Sequence, residues 1–180
     1  MAYTSFKDFC VAAKLATAGQ FDDWRKEYSQ YGSAENGSAE KSPVDSFFEC
    51  VREKSGKSEV DFLALVGHAF EWKTIDLLKL DPTKEALLKI SSKVASQHPV
   101  MPISVEDGVL VVATSDPFRN DLLNSVRFAA QGPVRFVLST SEDITKAYEK
   151  HYGVGAETID ALAENQVDEE EDLELMFGDD

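Results

Sequence analysis

Gly56-Lys57-Ser58 carries the residue types that close a nucleotide-phosphate loop: a glycine for close main-chain approach, a lysine for phosphate charge and a hydroxyl for magnesium. The spacing argues against that use. Such a loop opens with a glycine five residues before the second one, a position held here by Val51. It also follows a buried strand, whereas the residues before Gly56 read as helix. The triplet is expected to form a turn between two helices, with Ser58 capping the second. The other reactive groups are dispersed. His68, His98 and His151 are too scattered for a metal set, and Cys10 and Cys50 each sit in an amphipathic helical stretch that suits a buried thiol. Asp22-Asp23 and Asp107 stand where caps and turns use carboxylates, and neither a Gly-x-Ser-x-Gly elbow nor a His-Glu-x-x-His pair occurs. The expectation is no catalytic residue, no metal, no cofactor and no enzymatic activity.

Charge and composition narrow the class. The chain has 180 residues, 43% of them hydrophobic, enough for a core, and a formal net charge of -15. Much of that charge is in the run from Asp168 to Asp180, which contains no basic residue. Phosphate backbones would be repelled, so nucleic acid is not an expected partner. Leu173, Leu175, Met176 and Phe177 interrupt the acidic run, but a solvated tail or linker over 154–180 is the simpler expectation. The first residues lack a basic and apolar leader pattern, and no run is long enough to cross a bilayer, so a cytoplasmic protein is expected.

The elements that position these groups fall into two parts. In residues 1–74, Phe6 to Tyr31 reads as two short helices interrupted at Gly19, and Ser46 to Val51 with Val60 to Phe70 as a second pair. A polar loop, residues 33–43, separates the pairs. Phe9-Cys10-Val11 is echoed by Glu49-Cys50-Val51, a faint sign of duplication. Trp24, Trp72 and the many phenylalanines are mostly assigned to the core, with a partner anchor as the alternative for an aromatic in a short helical pair.

Residues 75–153 read as an α+β unit. Asp81-Pro82 is expected to cap one long helix through Leu87, Leu88, Ile90, Val94 and Ala95, closed by His98-Pro99. Val100 to Val105 and Val109 to Ala113 form a hairpin about Glu106-Asp107-Gly108. Ser115-Asp116-Pro117 supplies an N-cap and a first-turn proline for a helix whose apolar face is Phe118, Leu122, Leu123, Val126 and Ala130, with Gly132 as left-handed cap. Val134 to Leu138 is a third strand. Thr140-Ser141 caps a last helix ending at Tyr152-Gly153. The order is α-β-β-α-β-α, a helical N-terminal part followed by a two-layer domain with a three-stranded sheet. A right-handed parallel crossover joins its second and third strands.

The Met-Pro-Ile strand, the run DGVLVVATSDP and the closing ITKAYEKHYG resemble the N-terminal domain of type II secretion and type IV pilus assembly ATPases, over about half the chain from Ile75 to Gly153. The signature pieces are Asp107, Gly108, Asp116 and Pro117 after Ala113, and Tyr152 with Gly153. The resemblance implies a non-catalytic interaction or regulatory domain. It would dock the motor on the cytoplasmic part of an inner-membrane platform protein, peripheral to that membrane, and a downstream ATPase domain would carry the nucleotide motifs. The partner is expected at a sheet edge, through Val100, Ile103 and Val105 or through Phe136. The alternative is a free-standing adaptor or ligand sensor. Some relatives bind cyclic-di-GMP through paired helical motifs opening with Arg-Leu-Gly and closing with Gln. Here the corresponding positions are near Phe47, Phe48 and Glu49 and near Ala69 or Phe70, and neither Arg25 nor Arg52 sits in the required context.

Overall fold

The computed structural model describes residues 3–32, 46–97 and 100–153. The expected loop at 33–43, the His98-Pro99 break and the acidic tail fall outside the described residues. Two compact units are distinguished, Met1–Thr74 with Asp116–Arg119, and Ile75–Ser115 with Asn120–Asp180.

The first unit holds α1 (Phe6–Ala12), α2 (Ala18–Gly32), α3 (Phe47–Lys54) and α4 (Glu59–Phe70). Each start is written locally. Ser5 accepts from the Asp8 N–H and Ser46 from the Glu49 N–H. Thr17 and Gln20 form a reciprocal capping box, with the Gln20 N–H donating to Thr17 Oγ1 at 3.2 Å and the Thr17 N–H to Gln20 Oε1 at 2.9 Å. The first pair does not break at Gly19, which lies inside α2. It breaks at Lys14, whose φ of 56° turns the chain so that the Leu15 and Ala16 N–H groups both fold back on the Cys10 carbonyl. Gly56, φ 69°, makes the equivalent turn in the second pair.

Ser5 with Ser46, Thr17 with Ser58, and Phe21 with Phe62 recur at one common spacing. In that register the fully buried Cys10 matches the fully buried Val51. The sequence echo of Cys10 with Cys50 is therefore out of structural register by one residue. The core between the hairpins is aromatic. Phe6 approaches Phe9, Phe21, Phe48 and Phe118, the last with centroids 4.8 Å apart, and Phe48 meets Phe62 at 4.9 Å.

The second unit is built on a sheet ordered β1-β2-β3, comprising β1 (Val100–Glu106), β2 (Val109–Thr114) and β3 (Val134–Leu138). The first two are antiparallel and the last two parallel, the arrangement expected for a hairpin followed by a crossover helix. Asp107 and Gly108, with φ of 52° and 77°, make the tight turn of the hairpin.

Three local expectations are corrected. The long helix expected from Asp81 is divided into α5 (Lys84–Lys89) and α6 (Ser92–Gln97), a 3-10 turn at Leu77–Lys79 precedes it, and Thr83 rather than Asp81 caps α5. The break lies at Ile90, extended at φ -126° and ψ 115° and fully buried, because its carbonyl is engaged by Tyr152 instead of by a continuing helix. Second, α7 (Asn120–Ala130) begins beyond Pro117. Asp116 Oδ1 accepts from the Phe118 N–H at 3.2 Å, a side-chain turn that makes 116–119 a separate loop. Third, Gln131 at φ 50°, not Gly132, takes the left-handed position after α7. The last helix, α8 (Ser141–His151), starts at its expected Thr140 cap.

Candidate functional site

The phosphate-loop triplet is a helix connection. Gly56 is its left-handed turn, Lys57 is exposed, and Ser58 Oγ accepts from the Asp61 N–H while donating to the Asp61 carboxylate at 2.7 Å. Titratable groups with displaced pKa values sit in similar structural settings. The Asp8 carboxyl is lowered by hydrogen bonds from Thr4 and Ser5, Asp81 by its bond to Lys150, and Glu142 by Lys146 one helical turn away. All three are exposed ends of caps or surface pairs, with no nucleophile and base brought together. Among the described residues no group of three metal-ligating side chains converges, and no helix is long and apolar enough to cross a membrane.

The cysteines are inert by placement. Burial pushes the Cys10 thiol up to about 12 and also raises that of Cys50. The native protein at pH 8 is expected to leave both thiols unlabelled by a water-soluble disulfide reagent, and unfolding in guanidinium to release both. Rapid labelling of either before unfolding would refute this assignment.

Of the signature residues, Asp107 and Gly108 shape the hairpin turn and Asp116 organises its own loop, in which Pro117 is buried. Tyr152 is fully buried, and its hydroxyl lies 2.7 Å from the Ile90 carbonyl and 3.2 Å from that of Leu87. Gly153 places its N–H on the Glu149 carbonyl at 3.1 Å. A Cβ there would stand 2.4 Å from that oxygen, so the glycine is required by close approach.

The sheet has two edges, β1 and β3. Val100, Ile103 and Phe136 point into the core and Val105 is half-buried, so an edge contact would use main chain and outward neighbours instead of these side chains. The β1 edge is blunted. Pro102 brings no N–H, the register slips between Pro102 and Ser104, and the Ile103 carbonyl accepts from the Thr83 N–H at 2.8 Å. On β3, Leu110 N–H bonds Pro133 O and Ser139 N–H bonds Thr114 O. In a parallel ladder this directs the main-chain groups of odd-numbered residues to β2 and those of Val134 to the outer edge. At the far end the Ile75 N–H reaches Leu138 O at 2.9 Å.

On α7 and β3 the structure adds residues that the spacing did not single out, and it corrects the core assignment of one phenylalanine, Phe128. Arg127 lies over the Phe136 ring at 5.4 Å, Arg135 pairs with Glu106, and Phe128 is 87% exposed. Phe128 falls outside the apolar spacing of Leu122, Leu123, Val126 and Ala130, a signal available from the helical period alone.

Comparison with known proteins places this geometry. The pattern of the MshEN domain matches residues 68–158, half of the chain. The fold is similar to that of a solved structure of MshE with cdg, at 14% identity and a TM-score of 0.65, over 83% of this chain and 100% of that one. It is also similar to the N-terminal domain of XpsE, at 17% identity and a TM-score of 0.53, over 73% and 93% of the two chains. None of the curated proteins matches.

Proposed function

Because the chain belongs to the MshEN domain family, the N-terminal domain of type II secretion and type IV pilus assembly ATPases, we propose that it is a non-catalytic docking domain that couples such a motor to the cytoplasmic part of its inner-membrane platform. The observation that carries this reading is the asymmetry of the sheet. Proline, a register slip and Thr83 blunt one edge, while β3 turns the main-chain groups of Val134 outward. A partner segment adding there would gain main-chain hydrogen bonds. Val134→Pro removes an N–H outside the β2 ladder. It is expected to leave the circular dichroism spectrum unchanged and to weaken calorimetric binding to the platform's cytoplasmic part at least tenfold. Unchanged binding by a folded Val134→Pro protein would rule out the β3 edge, and no binding by the native chain would rule out docking.

The similarity to MshE with cdg favours a second reading, an adaptor that senses a cyclic dinucleotide. The side chains at the corresponding helical positions argue against it. Phe48 is buried against Phe6, Phe62 and Phe118, and Phe70 packs on Phe9 and Phe118. Arg25 lies over the Phe21 and Phe47 rings, 5.6 and 5.3 Å from their centroids. These rings occupy positions where a dinucleotide would need donors to its phosphates. Titration with cyclic-di-GMP is expected to give no binding heat, and micromolar affinity would favour the sensor.

A further inference from the structure

The outer face of α4 is apolar where the hairpin fold does not require it. Phe62, Leu63, Val66 and Gly67 are buried on its inner side. Val60, Ala64, Leu65 and His68 are exposed, Val60 at 64% and Leu65 at 38%, with the exposed Asp61 carboxylate at their margin. Val60, Ala64 and His68 recur every fourth residue, and Leu65 lies beside them. A helix that is apolar on both sides is ordinarily covered on both. The first hairpin is an internal control. In the register set by the caps, Val60, Ala64 and His68 correspond to Gly19, Asp23 and Glu27 of α2, and Glu27 is ion-paired with Lys54 at 3.0 Å. The same architecture thus tolerates acidic residues at the positions of Ala64 and His68, whereas Leu65 corresponds to the half-buried Trp24, so the part of the stripe that its own hairpin does not require is centred on Ala64.

We propose that the stripe docks a second copy of this chain, α4 against α4, antiparallel about a two-fold axis near Ala64. Charge selects this occupant. With Ala64 on the axis, Lys57 before the helix faces Glu71 of the partner subunit at the helix end. Opposed helix dipoles reinforce the same orientation. Ala64 lets the axes approach closely, since interaxial distance follows side-chain size at the crossing. Three helical turns cover less than the ~800 Å² per partner of a standard interface, so the dimer is weak.

Sedimentation equilibrium of the full chain, from about 10 μM to about 1 mM at ~0.15 M salt to screen the acidic tails, tests this. The average mass is expected to rise from 19.9 kDa toward twice that value. Ala64→Arg places two guanidinium groups at the axis and is expected to raise the dissociation constant at least tenfold with unchanged helicity. Lys57→Glu is expected to weaken association, and Lys57→Glu with Glu71→Lys to restore it. A native chain that stays monomeric throughout overturns the proposal. So does association indifferent to Ala64→Arg, or a charge reversal at Lys57 that Glu71→Lys fails to rescue.

Discussion

Tyr152→Phe is expected to lower the stability of the sheet-containing unit by about 1–3 kcal/mol, and Tyr152→Ala by about 3–5 kcal/mol. The two changes separate two roles of one side chain. Removing the hydroxyl leaves the Leu87 and Ile90 carbonyls, at the end of α5, without the donor that now lies 3.2 and 2.7 Å away. A buried carbonyl deprived of its partner retains its desolvation cost. Truncation to alanine also deletes a ring that is fully buried and stacked on Tyr148 at 5.3 Å. Denaturant unfolding gives the size of each effect, and amide exchange gives the location, with the α5 amides losing protection first. A Tyr152→Phe protein as stable as the native one would show that the hydroxyl does not cap α5. Gly153→Ala probes the adjacent constraint without touching the hydroxyl, since its Cβ would collide with the Glu149 carbonyl.

Phe48→Ala is the change expected to damage the helical unit most, by about 3–5 kcal/mol. Phe48 is buried and lies 5.5 Å from Phe6, 4.9 Å from Phe62 and 5.8 Å from Phe118, measured between ring centroids. Its loss therefore opens a cavity among packed rings, and it also removes the edge-to-face contact with Phe62, worth about 0.5–1.5 kcal/mol. For a unit of this size the loss corresponds to a melting transition lower by roughly 15–30 °C. Arg25→Ala is the contrasting control. That guanidinium is exposed over two rings, and its removal should cost only about 0.5–1 kcal/mol. Equal effects from the two substitutions would mean that the aromatic cluster does not carry the stability of this unit.

Legibility from sequence followed the range of the interaction. Ser58 and Thr140 as caps, Asp107-Gly108 as a tight turn and the three strands were readable because each rests on groups a few residues apart. The break at Lys14 was missed because lysine carries no left-handed preference, whereas the glycine five residues later suggests one. The outward Phe128 was readable from helical period, yet its neighbourhood was not. Arg127 meets Phe136 only after α7 folds over the sheet.

The residues alone therefore determined the element types, their order, the family and the lack of a working phosphate loop, because propensity, capping and spacing act within a turn or two of chain. The division of the expected long helix at Ile90 was decided by tertiary structure, through a hydroxyl 62 residues away. So was the blunting of β1 by Thr83, the inward direction of Val100, Ile103 and Phe136, and the placement of Phe118 among the rings of the helical unit. Each depends on which distant group arrives to satisfy a carbonyl or fill a gap, and local periodicity holds no record of that arrival.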